Sequence, residues 1–167
     1  MPTFRIDPGR SRVWIEARSS LHPIHSEADG LEGSVEAEMA DGRIDLGSQP
    51  KILIVLPVER LKSGMAFDDT EMLRRIDARR FPTIRGEMTH MKEGGAGHYR
   101  VRGDLTFHGV TRSVEGDITI SSSNGSLVIE GEQTFNIRDY GVEPPKILLL
   151  KVHPDVKVRV KVFAEAQ

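Results

Sequence analysis

The chain has 167 residues and a net charge of −2, with 38% hydrophobic and 29% charged residues. This length fits one domain spanning residues 1–167, and the composition is typical of a soluble globular protein rather than a disordered one. The balanced charge offers no basic surface for nucleic acid, and the absence of cysteine excludes disulfides, thiolate metal sites and cysteine nucleophiles.

The sequence also predicts a compartment. The start of the chain, from Met1 to Arg5, has neither the basic region nor the apolar region of a secretion signal. No apolar run approaches the roughly 18 residues that a membrane-spanning helix needs. We therefore expect a cytoplasmic protein without an integral membrane segment.

Alternation of apolar and polar residues with a period of two predicts half-buried strands along most of the chain. It is seen in 13–18, 31–39, 101–107, 114–120, 127–137 and, most regularly, 156–162. Turn signals separate the strands, and Asn124-Gly125 is a strong hairpin signal. Residues 51–58 differ because they are apolar on both faces, so Leu53 and Val55 form an outer apolar stripe that needs a cover.

Residues 66–78 contain no glycine or proline, and their apolar residues fall at the spacing of one helical face. This face comprises Met72, Leu73 and Ile76, with Met65 just before the segment. The pattern predicts the one helix of the chain, whose apolar stripe rests on or plugs something hydrophobic. This helix is a candidate lid.

Together these elements predict an all-β fold, an eight-stranded antiparallel barrel with one covering α-helix. Closure removes the sheet edges, and at this size the interior is either filled by side chains or holds one ligand. Few aromatic residues and small inward residues at Gly33, Gly103, Gly116 and Gly131 favour a cavity, although glycines in strands also serve simply to bend them. The apolar residues predicted to line the cavity are Val13, Ile15, Val35, Ile54, Met65, Met72, Met88, Leu105, Phe107, Ile118, Ile129, Phe135 and Val158.

A ligand with a polar end needs a partner for it, because burying a polar group unpaired in a dry tunnel costs several kcal/mol. By strand phase and loop position, Arg18, His22 and His25 are expected near the opening. His90 is in phase with Met88 and is expected to point inward. The His22 and His25 spacing could also suit a metal, but the intervening proline disfavours a helix and no third ligand is near in sequence, so we expect no metal site and no cofactor.

Four segments carry a resemblance to a known family. Residues 103–114 (GDLTFHGVTRSV) resemble the G-x-L-T-(apolar)-x-G-V-T-(K/R)-x-V signature of the YceI-like family. Residues 6–13 are similar to its I-D-x3-S-x-V element, 61–82 to its crossover helix with an aromatic-proline end, and 135–141 (FNIRDYG) to its I-x-R-x-D-(F/Y)-G element. The chain departs from the family in the segment 18–25 and in a short passage from helix to strand, and from its first residues we expect no leader of the kind that many relatives carry.

The resemblance implies an extended lipocalin-like barrel whose tunnel holds polyisoprenoid chains or quinone tails. We therefore expect a non-enzymatic binder or carrier of a long amphipathic isoprenoid-type lipid. A barrel enzyme of the cyclase or isomerase type is the alternative, and it would require ionisable side chains in the cavity. A third hypothesis is a structural protein with a solid interior, whose outer stripe at Leu53 and Val55 forms a homodimer contact. A homodimer is also expected for the lipid binder.

Overall fold

The computed structural model of the chain describes residues 1–144, 146–147 and 150–167. In this part of the chain the only α-helix is α1 (Ala66–Arg75), and strands make up most of the remainder. The strands are β1 (Thr3–Ile6), β2 (Arg12–Ser19), β3 (Pro23–Ala28), β4 (Glu32–Glu36), β5 (Glu38–Ala40), β6 (Arg43–Asp45), β7 (Lys51–Pro57), β8 (Thr83–Gly95), β9 (His98–Phe107), β10 (Val110–Ser123), β11 (Ser126–Asn136), β12 (Lys146–Ile147) and β13 (Leu150–Ala166).

The main sheet closes on itself through β13. This long strand pairs with β11 on one side, and on the other with β2 and then with β1. β1 and β2 therefore act together as one bent strand beside β13. β3, which pairs with β2, and β4, which pairs with β1, act as a second bent strand. β7 lies between β4 and the meander β8–β11. The predicted eight-stranded antiparallel barrel with one helix is confirmed.

Tight turns set the register of the hairpins. Asn124 and Gly125 both have positive φ, 51° and 79°, between the paired residues Ser123 and Ser126. Two positive φ angles in a two-residue loop define the turn whose twist matches that of the flanking strands, so the predicted hairpin is confirmed. The turns at 41–42 and 108–109 have the same form.

One end of the barrel is solid. Buried side chains from β1, β4, β7, β9, β11 and β13 fill it, among them Phe4, Tyr99 and Leu127. The β5–β6 hairpin lies over this end, with Ile44 in the same cluster and the Gly42 carbonyl accepting a hydrogen bond of 2.6 Å from Ser122. We call this the closed end.

The opposite end carries α1, because the helix connects the last residue of β7 to the first of β8. Ile76, just past the helix, is buried with Val58 and Val142 in a second, smaller cluster. The helix is shorter than the predicted 66–78, since Asp77 adopts positive φ and the Ala78 amide bonds back to the Leu73 carbonyl at 3.0 Å. We call this the helix end.

Two of the small inward residues serve strand packing rather than space. A Cβ atom at Gly103 would lie 2.0 Å from the Glu87 carbonyl oxygen, and one at Gly33 would lie 1.9 Å from that of Leu53. Only glycine permits such close backbone approach. At these two positions the alternative interpretation, strand geometry, is therefore the correct one.

Candidate functional site

A cavity of about 350 Å³ occupies the barrel between the closed end and the helix end. Its volume is at the lower end of the range of small-molecule sites, roughly 300–1,000 Å³. The wall is almost entirely apolar and is formed by inward residues of nearly every strand together with Met72 and Ile76 from the helix side. Such a surface excludes water and favours an apolar ligand.

Most of the predicted lining residues lie on this wall. Their side chains point inward in the half of the barrel nearer the helix end. These residues are Val13, Ile15, Ile54, Met72, Met88, Leu105, Phe107, Ile118, Phe135 and Val158. Gly116 and Gly131, two of the small residues expected to leave space, also line it. Contact of these side chains with a ligand stays a prediction.

Three predicted apolar residues lie elsewhere. Val35 and Ile129, which are 0% and 2% exposed, point inward but are packed in the solid core of the closed end. Met65 precedes the first residue of α1 and is 58% exposed, so it is not part of the helix face that meets the cavity.

The expectation that His90 points inward is wrong. The pairing of β8 with β9 shifts between Met88, opposite Gly103, and His90, opposite Arg102, so that β8 contains one extra residue there. A bulge of this kind reverses the alternation of side chains beyond it. His90 is therefore exposed beside Thr89, and Met91 is the buried residue.

The other predicted head-group residues are also exposed and are not on the cavity wall. Arg18 and His25 lie on the outer face of β2 and β3, where the His25 Nδ1 atom is 4.0 Å from a carboxylate oxygen of Glu16. His22 lies in the β2–β3 turn, with its Nδ1 atom 3.0 Å from the Pro23 carbonyl oxygen. The geometry does not place these side chains next to a bound ligand.

Several wall residues were not predicted from the sequence. Five of them lie in segments whose alternation was recognised, namely Ala17, Val101, Val114, Val156 and Val160, and the others are Ile24, Leu56, Ile84 and Gly86. Taking every inward position of the recognised segments would have found the first five. Tyr140 lies outside any strand and had no such signal.

Carboxylates occur where β10 and β11 border the cavity, and their side chains are exposed. Arg100 forms ion pairs with Glu115 at 3.3 Å and Asp117 at 3.2 Å, and Lys157 with Glu132 at 2.8 Å. The hydrogen bond to Glu132 raises the pKa of Lys157. These charges are paired at the surface rather than directed into the apolar space.

The barrel wall has a gap between β10 and β11. Their hydrogen-bonded ladder ends at Ile118 opposite Gly131. Beyond it, the first half of β10 pairs with β9 and the last residues of β11 pair with β13, but the two strands do not pair with each other. Gly116 and Gln133 border this gap and line the cavity.

Tyr140 lies at the helix end of the cavity on a well-fixed turn. The turn Ile137–Tyr140 begins with the Asn136 side chain accepting a hydrogen bond of 2.9 Å from the Arg138 amide, and is followed by Gly141 at φ 74°. His108 Nδ1 donates to the Tyr140 carbonyl oxygen at 3.1 Å. These bonds hold the backbone of Tyr140 in one place.

The Tyr140 side chain is 3% exposed, and its ring packs against Phe107 with centroids 5.9 Å apart. Burial raises the pKa of its phenol above the ordinary value of 10.0, with smaller and opposite effects from Arg112 and Asp139. The hydroxyl is therefore protonated at neutral pH and can donate a hydrogen bond.

Neither a metal site nor a membrane-spanning helix is found in the described residues. No group of three or more histidine, aspartate or glutamate side chains is arranged there to hold a metal ion. None of the helical segments in the same residues is long and apolar enough to cross a bilayer.

Comparisons with known proteins agree with this architecture. Burkholderia cenocepacia BcnA superimposes with a TM-score of 0.80 at 15% identity, over 95% of this chain and 98% of that one. A polyisoprenoid binding domain from Saccharophagus degradans, implicated in plant cell wall breakdown, gives 0.75 at 13% identity and covers 98% of both chains. The Campylobacter jejuni YceI protein gives 0.70 at 12% identity, over 85% and 84%.

At such low identity these structures show a common fold alone. No curated protein is significantly similar in sequence. The YceI-like domain, however, matches the sequence over residues 4–164, nearly the whole chain, and thereby confirms the resemblance seen in the motifs. The chain belongs to the YceI-like family.

Proposed function

We propose that this protein is a non-enzymatic binder or carrier of a long amphipathic isoprenoid-type lipid, polyprenyl or quinone-like. The observation that carries the proposal is the apolar cavity of about 350 Å³, which is lined by valine, isoleucine, leucine and methionine side chains. Burial of each tail methylene in such a site contributes about 0.8 kcal/mol. A few buried carbons therefore offset a substantial part of the entropy lost on binding.

Membership of the YceI-like family supports a lipid of this class. One protein with the same fold is described as a polyisoprenoid binding domain, although it is only 13% identical to this chain. The cavity itself requires only that the ligand be apolar, and the branched methyl groups of an isoprenoid tail suit a wall of branched aliphatic side chains.

The charges near the cavity favour binding over catalysis. An enzyme of the cyclase or isomerase type needs an acid or base in contact with the reacting carbon atoms. His90, the one inward histidine expected from the sequence, is exposed on the outer face. Asp69, on the helix side of the wall, accepts hydrogen bonds from the Ser63 amide at 2.9 Å and the Ser63 hydroxyl at 2.7 Å.

Native mass spectrometry after detergent-free purification tests the proposal, since a bound lipid adds a discrete mass. The protein is then delipidated and titrated with prenyl alcohols of increasing length by displacement of a fluorescent prenyl probe. Affinity should rise at least tenfold per added isoprene unit until the cavity is filled, and then level off. Affinity independent of chain length would refute the proposal, and conversion of the probes to new products would favour the enzyme.

The outer stripe expected to form a homodimer contact is half-buried in the single chain: Leu53 and Val55 lie on the face of β7 turned away from the cavity. We propose that a second copy covers it, because apolar patches on a sheet are commonly interfaces.

A cytoplasmic location and a transport role also stay predictions, which cell fractionation and lipid transfer between vesicles would test.

A further inference from the structure

We infer that the Tyr140 hydroxyl is the binding group for the polar end of the ligand, and that it donates a hydrogen bond to an uncharged oxygen, such as a carbonyl. The inference rests on the proposed function, since it assumes that an amphipathic ligand occupies the cavity. It adds a specific residue and the chemical class of the head group.

The first argument is the lack of a partner for this hydroxyl. Among the described residues, Tyr140 makes a ring contact with Phe107 and accepts a hydrogen bond from His108 through its carbonyl oxygen, but its hydroxyl makes no hydrogen bond. No polar side-chain atom in this part of the protein is both sealed off and unpaired, so the hydroxyl must open onto free space. Tyr140 lines the cavity and is only 3% exposed, so the proposal takes the cavity as that space.

The second argument is that tyrosine is an unfavourable choice for this position without a ligand. Phenylalanine would keep the packing on Phe107 without placing a polar atom in apolar surroundings, where an unpaired hydroxyl is destabilising. A ligand oxygen, or a water molecule before it binds, would satisfy the donor. The turn that carries Tyr140 is fixed by Asn136, His108 and Gly141, so the hydroxyl is held ready with little loss of entropy on binding.

The third argument concerns the charge of the head group. Burial keeps the phenol protonated, so it acts as a neutral donor. The nearest charges, Arg112 and Asp139, act on it in opposite directions. The Arg112 Nη1 atom already donates a hydrogen bond to the Asp139 carbonyl oxygen, at 3.3 Å.

Elsewhere in the described wall, charged residues are mostly acidic. Arg75 is the one cation that lines it, while the carboxylates Glu115, Asp117 and Glu132 are in ion pairs at the surface and Asp69 accepts a hydrogen bond from Ser63. A phosphate or diphosphate requires several cationic or amide donors. This wall therefore fits an uncharged carbonyl, as in a quinone or prenyl ketone, better than a prenyl phosphate.

The test compares Tyr140→Phe with the parent protein on three probes: farnesylacetone, which is a prenyl ketone, the hydrocarbon of the same skeleton without the oxygen, and farnesyl phosphate. Affinities are measured by displacement of a fluorescent prenyl analogue. Loss of one neutral hydrogen bond should weaken binding of the ketone about three- to tenfold and leave the hydrocarbon unchanged. Farnesyl phosphate should bind the parent more weakly than the ketone.

A spectroscopic measurement separates hydrogen bonding from packing. With ketone labelled by 13C at the carbonyl, the infrared carbonyl stretch should lie at lower frequency in the parent complex than in the Tyr140→Phe complex. Tyr99→Phe is the matched control, because it removes the same group from the other tyrosine, which is buried in the closed end and is not on the cavity wall. It should change neither the affinity for the ketone nor the carbonyl frequency.

Each contrary outcome is distinguishable. Equal weakening of ketone and hydrocarbon by Tyr140→Phe, or no change in either, would overturn the role of the hydroxyl while leaving the proposed function intact. An equal loss of ketone affinity in Tyr99→Phe would also overturn that role, and tighter binding of farnesyl phosphate than of the ketone would overturn the uncharged class. Failure of both the ketone and the hydrocarbon to bind the parent would refute the proposed function and this inference with it.

Discussion

The substitution Gly86→Leu should stabilise the fold and abolish tight ligand binding at the same time. Gly86 lies on the cavity wall in β8, and a Cβ atom there would meet only the side-chain ends of Leu105 at 3.8 Å and Met88 at 4.0 Å. Both are ordinary van der Waals distances, so a leucine side chain can extend into the empty space without displacing backbone.

The two effects can be worked out from this geometry. Burial of a leucine side chain contributes about 2 kcal/mol to the free energy of unfolding, and removal of a strand glycine adds about 0.5–1 kcal/mol. Imperfect packing of the new side chain lowers this sum. A net gain of about 2 kcal/mol raises the Tm of a chain of this length by about 4–8 °C. The same side chain displaces about four ligand carbons, worth about 3 kcal/mol, so affinity falls by about two orders of magnitude.

Differential scanning calorimetry of the delipidated protein and displacement of a fluorescent prenyl analogue measure these two quantities. Gly94→Leu is the control, because Gly94 lies in the exposed end of the β8–β9 hairpin, where a Cβ atom would have the His98 carbonyl oxygen, 3.9 Å away, as its nearest neighbour. This variant should bind as the parent does. If Gly86→Leu raised the Tm but left affinity unchanged, the ligand would occupy some other site.

Three further predictions concern packing, pH and assembly. Gly103→Ala should lower the free energy of unfolding by about 1–3 kcal/mol in urea denaturation, because its Cβ atom would overlap the Glu87 carbonyl. The pKa of Tyr140 is raised in the folded protein, so its contribution to stability is fully present below the unfolded pKa, near 10, and is lost as pH rises through the folded pKa. Tyr140→Phe should therefore reduce the loss of folding stability at alkaline pH, as followed by circular dichroism. Sedimentation velocity at micromolar concentration should show a dimer that Leu53→Lys dissociates, and a monomeric parent would contradict the outer stripe as an interface.

Which face of a strand is inward could be predicted where the strand is regular. Val13 and Ile15 on β2 are inward as the alternation indicates, while Arg18 and His25 are outward by the same rule. The rule failed for His90, because the bulge after Met88 depends on how β8 pairs with β9. A pattern within one strand contains no information about its register with the next.

How far along the barrel a residue lies could not be predicted. Val35 and Ile54 are both inward aliphatic residues in paired strands, but Val35 is sealed in the closed end and Ile54 lines the cavity. The difference arises because the β5–β6 hairpin covers one end, which is a tertiary arrangement. Tyr140 was missed for a related reason, since its turn becomes part of the wall only when 137–142 folds against the helix end.

The closure of the barrel by β1 and β13 has a consequence for the order of events in folding. Phe4 pairs with Ala166, so the contact that completes the wall joins residues from opposite ends of the chain. Because non-local pairing is slow to form, we expect this contact to form late, within the milliseconds to seconds that all-β domains typically take to fold.

If closure is the last step, no enclosed apolar space exists before it, and a lipid would not serve as a template around which the early strands assemble. For the proposed lipid ligand we therefore expect loading to follow folding, with the tail entering an already closed barrel. The unpaired stretch between β10 and β11 gives it a route that breaks no ladder hydrogen bonds. We expect uptake and release to proceed by local fluctuation of these two strands, at rates set independently of the global unfolding rate.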